Sequence, residues 1–318
     1  MKLFLGVDGG QSSTTAMVGD EGGRVLGVGR GGPCNHVTGA GAREKFIRAI
    51  GGAVSEACAA AGLAQDDRDF EAGCFGFSGG AEDKQALIEE MFRFGAGGLE
   101  VTHDGRIALS GAMAGGPGII VIAGTGSISF GRGAAGKMAR AGGWGYVFGD
   151  EGGAFDIARQ ALRASLRMEE GWGGGTALRR ALLDATEAES ANEMLHWFYR
   201  VDWPRSRIAR LAPLVDEAAR HGDAAAREIL HGAAQSLAML AGAVRGQLFE
   251  EGEPVGVAWI GGVFQSEIVR ARFQAVCELS GDVRCGAPAM GPAAGALLEA
   301  YRLRGLTVPL TNVPEMEK

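Results

Sequence analysis

The residues best suited to chemistry begin in a turn near the start of the chain. Asp8 ends an apolar stretch, and the turn after it is formed by Gly9, Gly10, Gln11, Ser12, Ser13 and Thr14. Glycines allow backbone N–H groups to approach an anion closely, and the hydroxyls add donors. Mg²⁺ keeps most of its waters, so Asp8 is suited to hold it through water. The pattern predicts a phosphate turn beside a metal carboxylate, with an ordinary hairpin and a solvated Asp as the alternative.

The same chemistry recurs at a second turn, formed by Gly124, Thr125, Gly126 and Ser127. Neither turn is a G-x-x-x-x-G-K-[ST] loop, and neither is a G-x-G-x-x-G sequence that opens a helix. The runs FLGVDGGQSSTTAMVGDEGGRVLG and IIVIAGTGSISFGRGAAGKMARAG share the order strand, polar turn, strand, glycine turn, strand. A duplicated unit with one phosphate turn in each half is the prediction.

Asp104 directly follows a predicted strand at 99–102 and precedes a helical stretch. Open α/β sheets bind their ligands at the carboxyl ends of strands. In phosphoryl transfer, an Asp in such a place accepts the proton of the attacking hydroxyl. Asp104 is therefore the candidate catalytic base, and an Asp that only caps the following helix is the alternative.

The densest segment, 142–153, reads GGWGYVFGDEGG and combines an aromatic ring, a flexible backbone and two carboxylates. Trp144 is suited to cover the apolar face of a sugar or an acetyl methyl group, and Asp150 to accept hydrogen bonds from hydroxyls. The segment favours a sugar pocket. The alternative is that Trp144 belongs to the core and that Asp150 or Glu151 caps the next helix.

Strands and helices alternate along the chain and must position these residues. Apolar alternation predicts strands at 3–8, 12–18, 24–29, 72–77, 99–102, 119–123, 127–131, 137–141 and 255–260. Helical spacing predicts helices at 42–61, 82–94, 154–169, 176–185, 192–200, 207–220, 224–249, 266–279 and 291–304. This order predicts an α/β protein of two domains around a central cleft, each a mixed sheet covered by helices.

Composition argues against several classes of partner. The 318 residues carry 31 Lys and Arg against 38 Asp and Glu, a net charge of −7, with no basic run longer than a pair. Neither nucleic acid nor an anionic membrane is therefore expected as a partner. The apolar start is too short for a signal peptide, and no apolar run approaches ~18 residues, so we expect a cytoplasmic protein. The five cysteines form no C-x-x-C pair, and we interpret them as reduced thiols.

Seven motifs together resemble those of a known family. They are GVDGGQSST, GFSGG (76–80), THDG (102–105), IAGTGS, GGWGYVFGDEGG, WIGGVF (259–264) and GPAAGA (291–296). In this order they resemble the BadF/BadG/BcrA/BcrD ATPase family and, within it, the N-acetylglucosamine kinases of the sugar kinase, Hsp70 and actin superfamily. The likeness covers nearly the whole chain and is most specific at GGWGYVFGDEGG.

The resemblance implies two RNase H-like domains that close over ATP and Mg²⁺, residues 1–115 and 116–290, with the helix 291–304 returning to the first. The two turns would grip the phosphates, Asp104 would take the proton of the sugar 6-hydroxyl, and a homodimer would be typical. The amino sugar would be lined by Asn35, Ser78, Asp104, Thr125, Gly126, Gly143, Trp144 and Asp150. The adenosine would lie near Gly261, Gly262 and Ser266.

The chain departs from the family pattern in its first turn, where Gln11 replaces a Gly and Ser12 a Thr. The zinc cluster C-x-C-G-x-x-G-C-x-E of the repressor and sugar-kinase group called ROK is absent, which argues against that branch.

Glucosamine and N-acetylmuramic acid are the alternative substrates, since a pocket separates such sugars by a few contacts. An ATPase activator of 2-hydroxyacyl-CoA dehydratases would need cluster cysteines, and Cys277 and Cys285 do not lie in a glycine-rich loop. Asp104 argues against a sugar sensor without catalysis.

Overall fold

The computed structural model describes residues 1–34, 41–64, 69–78 and 83–317. The chain divides into two compact units, one formed by Met1–Pro117 with Pro288–Lys318 and the other by Gly118–Ala287. No helix in the described part of the chain is long and apolar enough to cross a membrane.

The elements alternate along the chain much as the periodicity predicts. The described strands are β1 (Leu3–Gly9), β2 (Thr14–Asp20), β3 (Val25–Gly31), β4 (Asp69–Phe70), β5 (Ala72–Phe77), β6 (Arg93–Phe94), β7 (Leu99–His103), β8 (Gly118–Ala123), β9 (Ser127–Arg132), β10 (Met138–Gly142), β11 (Val255–Ile260) and β12 (Val283–Gly286). The described helices are α1 (Ala42–Ala60), α2 (Gln85–Met91), α3 (Asp104–Ala112), α4 (Ala154–Glu169), α5 (Leu178–Thr186), α6 (Ala191–Trp197), α7 (Arg205–Ala209), α8 (Ala212–Arg220), α9 (Ala224–Leu248), α10 (Glu267–Cys277) and α11 (Pro292–Arg302).

Each unit contains one mixed sheet of five strands. The first has the order β3-β2-β1-β5-β7 and the second β10-β9-β8-β11-β12. In both, the first three strands in chain order pair antiparallel, and the other two extend the sheet in parallel from the first. The two sheets therefore have the same topology, which confirms the duplicated unit and the α/β fold predicted from the sequence.

Helices cover both faces of the first sheet, so its strands are buried on both sides. In β1, which reads LFLGVDG, Leu5 faces the cluster under α1, and Phe4 faces the cluster under α11. Glycines on β3 let α1 approach closely: a Cβ on Gly29 would lie 2.1 Å from the carbonyl oxygen of Ala53. Part of the high glycine content thus serves tight packing of helix on sheet.

Several elements differ from the prediction. Within the described residues, the helix predicted at 82–94 spans Gln85–Met91. Phe92 follows the helix and packs on Phe75, and Phe94 belongs to β6 and packs on Phe70. The helix predicted at 207–220 is two helices, because Pro213 lacks a backbone N–H and fits only the first turn of α8. The short strands β4 and β12 were not predicted.

Gly6→Ala tests the packing of α11 on β1. A Cβ at residue 6 would lie 2.3 Å from the backbone nitrogen of Leu297 and 2.7 Å from the carbonyl oxygen of Ala293. Because both are backbone atoms, the strand or the helix must move. We expect the free energy of unfolding, measured with urea, to fall by about 3 kcal/mol or more, the upper end of the usual cost of overpacking.

Gly52→Ala is the matched control. Gly52 lies within α1, and an added Cβ meets nothing within 4 Å. Alanine is the better helix former, so this variant should unfold at higher urea, with a gain of about 0.5–1 kcal/mol. A Gly6→Ala protein as stable as the wild type would contradict the contact between strand and helix.

Candidate active site

The first glycine turn is closed by its own backbone. The N–H of Gly10 donates to the carbonyl oxygen of Ser13 at 2.9 Å, and the side chains of Ser12 and Ser13 are exposed. Thr14 is fully buried, and its hydroxyl donates to the carbonyl oxygen of Gly32 at 2.8 Å. The Thr14 hydroxyl therefore donates to the protein backbone and is not exposed to a phosphate. Ser12 and Ser13 carry the exposed hydroxyls of the turn.

Gln11, one of the two residues of this turn that depart from the family pattern, contacts a second predicted site residue. Its Nε2 lies 3.4 Å from Oγ of Ser78, a long hydrogen bond. Ser78 directly follows β5. The larger side chain thus bridges the turn after β1 to the end of the neighbouring strand, a contact that glycine at this position cannot make.

Three predicted site residues lie at one edge of the first sheet. In the parallel register, Gly9 of β1 pairs with Phe77 of β5, and Phe77 pairs with His103 of β7. Asp8, Ser78 and Asp104 lie within one residue of these positions. Because parallel strands end together at one edge, these three residues lie at the same edge of the sheet, and Asp104 follows the end of its strand as predicted.

Asp8 has an unusual environment for a carboxylate. Burial, the charge of Glu317 and the charge of Asp104, in that order of size, raise the pKa of Asp8 from its ordinary 3.8 to about 7. Glu317 was not predicted as a site residue. The edge of the sheet therefore holds several acidic groups whose charges act on one another, as expected of a place that receives a cation.

Asp104 is the first residue of α3, and its side chain is exposed. Its Oδ1 accepts the N–H of Gly105 at 2.8 Å. Asp104 therefore also has the place expected of the alternative, an Asp at the start of a helix that accepts a backbone N–H. This hydrogen bond uses only one of the two carboxylate oxygens. The carboxylate remains open to solvent and to a substrate hydroxyl.

The second glycine turn is fixed to the start of α4. The N–H groups of Ala154 and Phe155 donate to the carbonyl oxygens of Gly124 and Thr125 at 2.8 and 3.1 Å. The Ser127 hydroxyl donates to the carbonyl oxygen of Glu151 at 2.7 Å. The turn between β8 and β9 is therefore held by the first two residues of α4 and by Glu151 of the segment 142–153, for which the sequence predicts sugar binding.

Asp150 lies within that segment in a left-handed conformation, with φ of 66°. It is buried against Gly126, where a Cβ would lie 2.5 Å from the carboxylate. Its Oδ2 accepts a hydrogen bond from Nη2 of Arg205 at 2.7 Å. The guanidinium also lies over the rings of Tyr146 and Phe155, at 4.8 and 5.7 Å from their centroids. Sequence reasoning missed Arg205, which comes from α7 and has no local motif.

Trp144 is 65% exposed, so the alternative of a core tryptophan is wrong. The guanidinium of Arg140 lies 4.8 Å from the centroid of its ring. Phe148, in the same loop, is 83% exposed. The loop therefore presents aromatic surface to the outside, which is the arrangement that carbohydrate recognition uses.

Arg205→Met tests the buried ion pair. Removing one partner of a buried pair costs ~3–5 kcal/mol, but Arg205 is 38% exposed and partly screened. We expect the free energy of unfolding to fall by about 2 kcal/mol, measured with urea. Arg180→Met is the control, since Arg180 and Asp184 form an exposed pair on α5, and its unfolding midpoint should match the wild type. Equal midpoints for both variants would show that Asp150 does not need Arg205.

A cavity of about 510 Å³ in the second unit brings together two sets of predicted residues. Gly124 and Thr125 of the second turn line it together with Gly262 and Ser266. Helices α7 and α8 supply lining residues that the sequence did not predict, namely Ser206, Arg210, Pro213, Asp216 and Arg220. Part of a predicted phosphate turn and two of the three predicted adenosine residues, Gly262 and Ser266, thus line one cavity.

Ser266 is fixed within this cavity by two contacts. Its hydroxyl donates to Asp216 and accepts the N–H of Val269 as the N-cap of α10. Gly261 has φ of 107°, and a Cβ there would lie 2.4 Å from the carbonyl oxygen of Ala123. Gly261 therefore lets the ends of β8 and β11 meet.

The remaining predicted residues are placed as follows. Gly143 has φ of 72° and donates its N–H to the carbonyl oxygen of Ser127 at 3.0 Å. Asn35 lies outside the described residues.

Comparison with known proteins gives relatives across most of the chain. An N-acetylmuramic acid/N-acetylglucosamine kinase of Clostridium acetobutylicum is 34% identical over 270 residues, which cover 84% of this chain and 87% of the relative. An N-acetyl-D-glucosamine kinase of Dictyostelium discoideum is 29% identical over 252 residues, 74% of this chain and 77% of the relative.

A solved structure and a family model complete the comparison. A Chromobacterium violaceum protein, provisionally named an N-acetylglucosamine kinase, superposes with a TM-score of 0.72 and 30% identity, covering 94% of this chain and 99% of the other. A ROK family glucokinase from Streptomyces griseus has the same fold, with a TM-score of 0.52 and 18% identity over 96% of this chain and 100% of that one. The family model matches residues 5–300. Since this match spans both units and all the motifs described above, the chain belongs to the BadF/BadG/BcrA/BcrD ATPase family.

Proposed function

We propose that the protein transfers the γ-phosphoryl group of ATP to the 6-hydroxyl of N-acetylglucosamine. The broader assignment, an ATP-dependent sugar kinase, rests on family membership and on relatives that are themselves named kinases. The narrower choice rests on their printed substrates, since two of the relatives are named for N-acetylglucosamine and a third, from Vibrio cholerae, for glucosamine.

One observation carries the proposal. Asp104 presents an exposed carboxylate at the same strand edge as the half-buried Asp8, and the two are close enough for the charge of Asp104 to raise the pKa of Asp8. Phosphoryl transfer to an alcohol needs these two functions side by side, a base for the hydroxyl proton and a carboxylate for a cation.

Asp104 then acts as the general base. Its carboxylate takes the proton of the sugar 6-hydroxyl as that oxygen forms a bond to the γ-phosphorus, and the bond from this phosphorus to the bridging oxygen breaks to release ADP. The exposed position of Asp104 leaves it accessible to the hydroxyl. The turn at Gly9–Ser13 and the turn at Gly124–Ser127 hold phosphate oxygens through backbone N–H groups and hydroxyls.

Asp8 is the residue that would hold Mg²⁺, through water. No group of three or more His, Cys, Asp or Glu in the described ranges could form a full protein cage, which fits an ion that keeps most of its waters. When bound, the ion neutralises charge on the phosphates. Burial raises the pKa of Asp8, so the carboxylate must lose its proton before it can bind the cation.

The sugar contacts are proposed residue by residue. Asp150 accepts hydrogen bonds from sugar hydroxyls while Arg205 holds it in place, and Trp144 covers an apolar face. Gly143, Ser78, Thr125 and Gly126 contribute backbone or hydroxyl groups, and Asn35 keeps its proposed role toward the amino sugar.

The experiment is a coupled ADP-release assay with Mg-ATP and a panel of sugars: N-acetylglucosamine, N-acetylmuramic acid, glucosamine and glucose. We expect kcat/KM to be highest for N-acetylglucosamine and expect a silent control without sugar. A higher kcat/KM for another sugar would show that this sugar, and not N-acetylglucosamine, is the preferred substrate. If ADP is released at the same rate without sugar as with each sugar of the panel, the proposed sugar kinase activity is wrong.

A further inference from the structure

The segment after α11 folds back to the beginning of that helix. The N–H of Gly291 donates to the backbone carbonyl oxygen of Glu317 at 2.7 Å, and Glu315–Glu317 form a short 3₁₀ turn. Farther up the segment, the N–H of Val25 donates to the carbonyl oxygen of Thr311 at 3.0 Å. This path leaves Glu317 only 8% exposed. An acidic side chain is thus buried where α11 starts.

The Glu317 carboxylate is only partly satisfied there. Burial raises the pKa of the Glu317 carboxyl overall, while the N–H groups of Ala294 and Ala293 and, to a smaller extent, the charge of Arg30 lower it. In the described part of the protein, its Oε2 is buried and has no hydrogen-bond partner. Gly291 makes room for this oxygen, since a Cβ there would lie 2.3 Å from it. A buried polar atom left without a partner costs free energy, so a ligand is expected to satisfy it.

Asp8 lies near this helix start. Residues 4, 6 and 8 of β1 share one face of the strand, on which Phe4 packs with α11 and a Cβ on Gly6 would lie 2.7 Å from the carbonyl oxygen of Ala293. In agreement with this placement, the charge of Glu317 is, after burial, the largest cause of the raised pKa of Asp8. Two carboxylates near one another away from water repel, and a divalent cation between them relieves the repulsion. A role as helix cap alone explains the contact with the N–H groups of α11, but it does not explain the unpartnered oxygen beside a second acid.

We propose that Glu317 is a second carboxylate of the divalent-cation site at Asp8, binding the ion directly or through its waters. The inference rests on the proposed function, because that function supplies Mg²⁺ with the nucleotide. The donors fit the ion: Mg²⁺ takes oxygen ligands and is bound by one or two carboxylates together with substrate phosphates. Glu317 reaches the site from a part of the chain that carries no family motif.

The test measures binding of Mn²⁺, in place of Mg²⁺, by electron paramagnetic resonance in the presence of ADP. Glu317→Gln keeps the size and the hydrogen-bonding reach of the side chain but removes the charge. We expect its Mn²⁺ Kd to rise about tenfold or more, with ADP affinity in EDTA unchanged. Glu315→Gln is the control, since Glu315 lies in the same turn and is exposed; its Kd should stay within twofold of the wild type.

The other outcomes separate a failure of the proposed role of Glu317 from a failure of the proposed kinase activity. If Glu317→Gln binds Mn²⁺ as the wild type does and only its melting temperature falls, Glu317 is a helix cap, and the inference is wrong while the kinase stands. If the wild type with ADP binds no Mn²⁺, both are wrong. If Glu317→Gln does not fold, Glu317→Asp replaces it: this variant should raise the Kd about threefold or more, and an unchanged Kd overturns the inference.

Discussion

Asp104→Asn should lower kcat for N-acetylglucosamine about 10³-fold or more. An amide cannot take the proton of the 6-hydroxyl, and general-base catalysis contributes typically 10²–10⁴-fold. The fold should not change, because the side chain is exposed and an Asn oxygen can still accept the N–H of Gly105. Sugar-dependent ADP release measures the rate, and calorimetric titration with ADP should show nucleotide affinity within twofold of the wild type.

Glu44→Gln is the control for this experiment. Glu44 is likewise an exposed acid in the first turn of a helix of the same unit, but it belongs to α1 and not to the strand edge. Its kcat should equal that of the wild type. A loss of less than tenfold in Asp104→Asn would remove Asp104 from the proton transfer.

Asp8→Asn should have opposite effects on activity and on stability. Without the carboxylate, we expect kcat/KM for Mg-ATP to fall about 100-fold or more. The same change removes a half-buried carboxyl group whose pKa is raised to about 7, against 3.8 in the unfolded chain. In the absence of divalent cations at pH 8, the variant should therefore be more stable than the wild type.

The sign and the pH window follow from the two pKa values. Below about pH 4 the carboxyl is protonated in both states, and Asp8 has no pH-dependent effect on stability. Between about pH 4 and pH 7 the folded chain binds the extra proton, so the free energy of unfolding of the wild type falls as the pH rises. At ~1.4 kcal/mol per pKa unit, the loss is on the order of 4 kcal/mol and is complete above about pH 7.

Urea unfolding in EDTA at pH 5 and pH 8 measures this effect. The stability difference between Asp8→Asn and the wild type should be larger at pH 8 than at pH 5. Asp69→Asn, which alters an exposed carboxylate of the same unit, should show no such growth. An Asp8→Asn protein that is less stable than the wild type at pH 8 would contradict a costly buried charge.

The sheets could be predicted because their signals are local. Apolar runs that end at glycine turns predicted both meanders, and the repeated pattern predicted that the two sheets share a topology. The predicted helix bounds were wrong where a helix ends or divides within a stretch whose apolar periodicity continues. Phe92 and Phe94 continue a helical period although the helix ends at Met91, and Pro213 divides a stretch that is otherwise periodic.

The candidate site could be predicted only in part, for a related reason. Turns and strand ends have recognisable residue patterns, so Asp8, Asp104 and the glycine turns stood out. Their partners do not: Arg205 for Asp150, Asp216 for Ser266 and Glu317 for Asp8 lie far away in the sequence. A pairing between distant side chains exists only once the fold is formed, and no local spacing records it.

Phosphorus NMR of the reaction mixture tests the central claim most directly. The protein is incubated with Mg-ATP and N-acetylglucosamine, and the phosphorus-containing products are identified and quantified. Our account predicts ADP and N-acetylglucosamine 6-phosphate in equal amounts, with little inorganic phosphate. ADP accompanied by an equal amount of inorganic phosphate, with no sugar phosphate, would contradict it.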